Sequence, residues 1–321
     1  MTYDDRTAYL VLASLTTPGN AEVGSLIRGS GPVLALDRIL HSRDRSSELT
    51  EAVSTRLSGR AQADVRHVAD AMLRHADQVG ARIITPADDE WPAPLHDLAH
   101  SLPGHDGTGT GADLDSPLCL WARGPLHLAG TIERSVAIVG ARAMTAYGQG
   151  IASEFAYDLA GRDWTVVAGG ALGIDVTAHR GALLARGRTV AVLPCGIDQR
   201  YPAANAAVLE TLGAEGLLLT ELAPGTLPTR SAFLSRNRII AAATRGTVVI
   251  EAGARSGARN TLAHARRLRR PAMVVPGPIT SAMSAGCHVE LRRPDTILVS
   301  TVDEIIEEIG GLDRPPAPPP S

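Results

Sequence analysis

Two stretches concentrate the side chains able to do chemistry. The first, Arg230-Ser231-Ala232-Phe233-Leu234-Ser235-Arg236-Asn237-Arg238, sets three arginines around one of the chain's 2 phenylalanines. An aromatic ring among guanidiniums can stack a splayed base while the flanking phosphates pair with the cations. The same residues also fit a plainer role, with Phe233 anchoring a helix in the core and Arg236 and Arg238 in ion pairs. The second stretch is Gly140-Ala141-Arg142-Ala143-Met144-Thr145, directly after an apolar run. A glycine where strand meets helix lets backbone N–H groups approach an anion, and the helix dipole favours that charge. An arginine in such a turn suits phosphate; read otherwise, Gly140 is only a tight turn and Arg142 a solvated side chain. The turn is not a dinucleotide fingerprint, because Arg142 takes the place of the second glycine and no acidic ribose partner ends the next strand.

Two further glycine-rich turns have the same character. Ala168-Gly169-Gly170-Ala171-Leu172-Gly173-Ile174-Asp175 offers a second anion cradle, with Asp175 placed to cap the helix that follows. Glu251-Ala252-Gly253-Ala254-Arg255-Ser256-Gly257 offers a third through Ser256 and Gly257. Arg266, Arg267, Arg269 and Arg270 suit the negative end of a helix as a solvated basic face. Cys195 has no base linked to it by any motif, and the adjacent Cys287 and His288 do not face each other, so neither reads as a nucleophile. Three cysteines are too few for a disulfide framework or a four-cysteine zinc site.

The turns must be held by regular elements, and the pattern supplies them. Short apolar runs fall at Val136–Val139, Thr165–Val167, Thr189–Leu193, Leu217–Thr220, Thr247–Ile250, Met273–Val275 and Ile297–Val299. Amphipathic segments separate most of them, at Ile151–Ala160, Val176–Ala185, Ala203–Leu212, Arg236–Ala243 and Leu262–Leu268. Uniformly apolar strands alternating with helices predict a parallel sheet covered on both faces. The fold expected is α/β, an extended Rossmann-like doubly wound sheet, which binds ligands at the carboxyl ends of its strands. Ahead of it, three- and four-residue apolar spacing from Thr7 to Val79 predicts a small helical domain, residues 1–79. Its turn at Pro18-Gly19 suits either a helix-hairpin-helix contact or simple helix-turn-helix packing. The sheet domain takes residues 80–302. Within it, residues 101–117 read as a flexible surface loop, and residues 303–321 as a short acidic helix followed by a disordered proline-rich tail.

Charge divides along the chain. The net charge of −3 conceals a basic middle, because residues 131–300 carry 19 arginines against 12 acidic residues. All 31 basic residues are arginine, which excludes Schiff-base chemistry and a Walker-type phosphate lysine. No apolar run approaches the ~18 residues of a membrane span, and the N-terminus has no signal-peptide layout, so a cytoplasmic protein is expected.

Taken in order, the motifs resemble those of the bacterial DNA-processing protein DprA (Smf) family. The match runs through Gly140-Ala141-Arg142, Thr145, Tyr147-Gly148, Gly169-Gly170-Ala171, Gly173-Ile174-Asp175 and His179. It continues through Gly196-Ile197-Asp198, Tyr201-Pro202, Asn205, Glu221, Phe233, Arg236-Asn237-Arg238, Glu251, Ser256-Gly257, Thr261 and Pro276-Gly277. Asp88–Leu98 and Leu120–Gly124 resemble the family's lead-in. The resemblance implies a homodimer without cofactor or catalytic turnover. Such a protein binds single-stranded DNA, protects incoming strands during natural transformation and loads the RecA recombinase. It implies that Arg142 grips a phosphate, that Gly169, Gly170, Ser256 and Gly257 supply backbone or hydroxyl contacts, and that Gly140 and Thr145 also belong to the DNA-binding set. Phe233 then stacks a base within a pocket holding Arg230, Arg236, Asn237 and Arg238, although Asn237 and Arg238 also fit a role in holding that loop. Leu234 stands where the family commonly has proline, Ala203 and Ala204 replace a commonly basic position, and the winged-helix module of many relatives is not among these residues. The alternative is a nucleotide or nucleoside-monophosphate hydrolase of a related Rossmann-like fold. Against it, Gly253–Gly257 lacks the Pro-Gly-Gly-x-Gly-Thr form, and no glutamate follows in the next helix.

Overall fold

The computed structural model describes residues 4–41, 46–57, 65–100 and 115–310. Five helices come first: α1 (Asp5–Leu15), α2 (Ala21–Ser30), α3 (Pro32–His41), α4 (Ser47–Leu57) and α5 (Val65–Gln78). Then follow β1 (Arg82–Ile84), β2 (Leu120–Arg123), α6 (Leu128–Ile132), β3 (Ser135–Val139), α7 (Ala146–Gly161), β4 (Thr165–Ala168) and α8 (Ile174–Leu184). The order continues with β5 (Thr189–Val192), α9 (Ala206–Glu215), β6 (Leu217–Thr220), α10 (Arg230–Ala242), β7 (Thr247–Val249) and α11 (Ala258–Arg267). Last come β8 (Ala272–Val274), α12 (Ala285–Glu290), β9 (Ile297–Leu298) and α13 (Val302–Gly310). These elements form two compact units, Met1–Gly130 with Ala191–Ile239 and Thr131–Val190 with Ile240–Ser321.

In the first unit the helices start on side-chain caps: Asp4 accepts from the Thr7 N–H at the head of α1, and Asn20 from Val23 at the head of α2. Pro32 opens α3, where its missing N–H costs nothing. Leu10, Leu12, Leu36 and Ile39 are fully buried. Helix α5 packs on both α1 and β1. Strand β2 pairs antiparallel with β1 (Ile83 opposite Trp121) and with β6 (Ala122 opposite Leu219). Of the expected 101–117 loop, residues 101–114 lie outside the described residues. Its end departs from a surface loop, because Asp115 is buried and paired with Arg28 at 2.6 Å.

The second unit carries the parallel sheet predicted from the apolar runs, in the order β4-β3-β7-β8-β9. Ala137 faces Val167 on β4 and Thr247 on β7, and Met273 of β8 faces Val248 and Ile297. Every residue of β3, β4, β7 and β8 is buried, which is why these strands read as unbroken apolar runs. One core gathers Val136, Ile138, Phe155, Trp164, Ile174, Val248 and, from α13, Ile305 and Ile309. Residues 311–321, expected as the proline-rich tail, lie outside the described residues. The chain leaves β3 towards β4 on one side and leaves its neighbour β7 towards β8 on the other. The carboxyl ends of β3 and β7 are therefore the topological switch point, where a crevice opens in sheets of this kind.

Candidate nucleic-acid interface

At that switch point in the second unit, Glu251 organises the turn after β3. Its carboxylate accepts from the Thr145 N–H at 2.9 Å and from the Thr145 hydroxyl at 2.6 Å, and its backbone carbonyl accepts from Ala141 N–H at 2.7 Å. Thr145 in turn N-caps α7 by accepting from Gly148 N–H. A side chain at Gly148 would put its Cβ 2.2 Å from a Glu251 carboxylate oxygen, so glycine is what admits the carboxylate there. The positive end of α7 thus faces an internal anion. Arg142 lies between the two anchored residues and is exposed.

The turn after β4 packs against the same segment. Gly173 has φ of 81°, a backbone conformation that favours glycine, and a Cβ there would sit 2.2 Å from Ala141 O and 2.5 Å from Arg142 O. Ile174 donates its N–H to Ala141 O at 3.2 Å. Asp175, expected as a helix cap, does something else. Helix α8 starts at Gly173 with no side-chain cap, and Asp175 lies within its first turn, accepting from Gly169 N–H at 3.0 Å. The Gly169 amide expected to meet phosphate is therefore taken, and Gly169 and Gly170 are both buried.

In the turn after β7, Ser256 accepts from Ala258 N–H at the head of α11, and Gly257 is exposed with open space where a Cβ would go. Arg259 donates to Ala254 O and pairs with buried Glu290 at 2.6 Å, tying this turn to α12. The arginines at the far end of α11 are not a uniformly solvated face. Arg266 pairs with Glu290 inside the unit, and Arg270 donates to the carbonyls of Ala241, Ala242 and Thr244 at the end of α10. Tyr147, on α7, donates its hydroxyl to Pro276 O, and burial together with the Glu251 charge pushes its phenol pKa up.

The first unit holds the aromatic-arginine stretch on α10. Arg230 is exposed and Phe233 is half-buried, three residues apart and on one helix face. The Phe233 ring meets Tyr201 edge-on at 6.0 Å and has the Arg236 guanidinium 5.9 Å from its centre. Arg236 is itself buried and donates to Val192 O at the end of β5. Asn237 is buried too. Arg238, expected among the strand contacts, is fully buried: it binds Glu221 through two bonds of 2.8 Å and donates to Asp115 O at 3.0 Å. It is a structural cation, buried out of reach of a phosphate in the folded chain. The neighbouring turns lock together, since Gly225 N–H donates to Asp198 at 2.8 Å and Gly196 N–H to Thr226 O at 2.9 Å.

Sequence reading gave no role to Glu251 and missed Tyr201 as the ring beside Phe233. For Glu251 the available signal was a glycine, Gly148, three residues after a capping threonine. Cys195 is buried with its thiol pushed up to about 11, chiefly by burial. Cys287 turns to Ile250 O while His288 bonds Gly277 O, so their side chains part. Among the described residues no group of three or more His, Cys, Asp and Glu could hold a metal ion, and no helix is long and apolar enough to cross a membrane.

Relatives of this chain are known in sequence and in structure. DprA of Mycobacterium tuberculosis is 44% identical over 305 residues, covering 95% of this chain and 75% of that protein. The Streptococcus pneumoniae DNA processing protein DprA is 36% identical over 193 residues, 60% of this chain and 67% of its own. The solved DprA structure from S. pneumoniae superposes with a TM-score of 0.72 at 26% identity, covering 96% of this chain and 99% of that one. A DNA processing protein A structure from Helicobacter pylori, described for its single-stranded DNA binding mode, gives 0.60 at 26% identity over 70% of this chain and 94% of that one. The family model for DNA recombination-mediator protein A matches residues 82–310. The chain belongs to the DNA recombination-mediator protein A family, that of DprA and Smf.

Proposed function

We propose that this protein binds single-stranded DNA without turning it over, shields incoming strands and loads RecA recombinase onto them, acting in the cytoplasm as a homodimer. One observation carries the binding reading. Phe233 presents a half-exposed ring, braced by Tyr201 and the Arg236 guanidinium, one helical turn from exposed Arg230. A braced ring is a sequence-tolerant platform for a base, and a nearby arginine holds the adjoining phosphate. Arg142 and the Ser256-Gly257 turn supply further phosphate partners on the second unit. The H. pylori relative, described for its single-stranded DNA binding mode, supports the single-strand reading. In the second unit, the strand-end carboxylates Glu251 and Asp175 both accept from backbone N–H groups, which favours binding over the hydrolase reading.

Fluorescence anisotropy with labelled single-stranded and duplex oligonucleotides, titrated with salt, tests this. Tighter binding to single strands is expected, falling steeply with salt as phosphates release counterions. If Arg142→Ala and Phe233→Ala both bind single strands as the native protein does at matched salt, the site assignment is wrong. Assembly of RecA on oligonucleotides with and without the protein tests the loading step.

A further inference from the structure

We infer that Glu251 is the positioning residue for Arg142, fixing the turn that presents this guanidinium to a phosphate. The inference rests on the single-strand reading and assigns a role to a buried group that the binding chemistry itself does not use. Its ground is a juxtaposition within the second unit. Ala141, immediately before Arg142, donates its N–H to the Glu251 carbonyl at 2.7 Å, and Thr145, three residues after it, donates N–H and hydroxyl to the Glu251 carboxylate. One residue therefore holds both sides of Arg142, from its backbone and from its side chain. The contact is closely fitted, since Gly148 leaves no room even for a methyl group beside the carboxylate. Gly173 and Ile174 seat the Ala141 and Arg142 carbonyls from the other side.

Glu251 is almost fully buried, so it cannot itself meet a strand. Its charge has the wrong sign for a phosphate ligand, and that makes the inference decidable. If Glu251 were only a negative charge near a phosphate site, the neutral, nearly isosteric Glu251→Gln would bind DNA more tightly. As the residue that positions Arg142, its loss must weaken binding, because Gln puts an NH2 donor where one of the two accepting carboxylate oxygens stands, so one of the two Thr145 contacts is lost or reversed. A second variant, Gly148→Ala, keeps the charge and displaces the carboxylate sterically.

The experiment measures single-strand affinity against salt for the native protein, Arg142→Ala, Glu251→Gln, Gly148→Ala and the double variant Arg142→Ala/Glu251→Gln, with thermal unfolding as the check on folding. Expected for Arg142→Ala is a loss of about tenfold, the scale of one charge-assisted hydrogen bond. Its log–log salt slope should shrink by ~0.7, the single-strand value for one phosphate contact. Glu251→Gln and Gly148→Ala should reproduce both changes, and the double variant should add little to either single one. A general loss of stability would lower the active fraction but leave the slope alone. Native-like or tighter binding by Glu251→Gln, beside a weakened Arg142→Ala, overturns the inference and leaves the site reading standing. Native binding by Arg142→Ala overturns the site reading at this position and the inference with it. Should Glu251→Gln not fold, Gly148→Ala decides on the same two criteria.

Discussion

Arg238 and Glu221 face each other through two parallel bonds of 2.8 Å, the guanidinium fully buried and its Nε–H donating to the Asp115 carbonyl. In the middle of a basic stretch, this arginine holds the protein rather than a ligand. Removing one partner of a buried pair leaves the other charged and uncompensated, which costs ~3–5 kcal/mol. Arg238→Ala and Glu221→Ala should each lower unfolding free energy on that scale in urea titrations. The folded fraction should bind single strands with the native salt slope. A reduced slope in folded Arg238→Ala would return Arg238 to the contact set.

Phe233 should behave in the opposite way. Its ring is only half-buried, so truncation removes less core than at a fully buried position. Phe233→Ala is expected to weaken single-strand binding by ~1–3 kcal/mol, the scale of one base stacked on an aromatic ring. The midpoint of urea unfolding should move little. Tyr201→Ala, which removes the edge-on brace at 6.0 Å, should give a smaller loss in the same assay.

Glu90 gives the first unit an acid-sensitive component. Burial pushes its carboxyl pKa up, but hydrogen bonds from Arg82 and the Leu128 N–H, with the Arg82 charge, outweigh that and hold it below the ordinary value of 4.5. A depressed carboxylate contributes stability that is fully present above the ordinary value and is lost as pH falls through the lowered one. Native protein should therefore be more stable than Glu90→Gln at neutral pH, with the gap closing below about pH 4.5. Urea unfolding of both proteins across that range measures it. A gap that widens on acidification would contradict this assignment.

The thiols of Cys119, Cys195 and Cys287 are pushed up to about 12, 11 and 11, in each case chiefly by burial. Since the thiolate is the reactive form, the folded protein should resist iodoacetamide at neutral pH and take up three labels only when denatured. Intact-mass spectrometry after a timed exposure reads the result directly.

The parallel strands were legible because burial on both faces writes itself as runs such as Val136–Val139, and in the first unit Leu217–Thr220 matches β6 residue for residue. Strands β1 and β2 were not legible as strands: they span three and four residues and carry Arg82 and Arg123, which local pattern assigns to surface. Arg142 and Arg230, singled out by type and spacing, are both exposed. What failed was telling buried arginines from exposed ones within a single helix. Arg238 is buried by partners at Glu221 and Asp115, 17 and 123 residues away, and no local pattern carries that information. Glu251 escaped for the same reason, its Thr145 partner lying 106 residues earlier.

Gly173 carries a lesson for transplanting the turn after β3 into another protein. Its backbone lies so close to the carbonyls of Ala141 and Arg142 that any side chain would wedge the two turns apart. Residues 140–145 are thus one piece of a three-piece part, with residues 173–174 and Glu251. An engineer who grafts them onto a different Rossmann-like scaffold must bring the other two pieces as well, or the arginine will arrive without its seat.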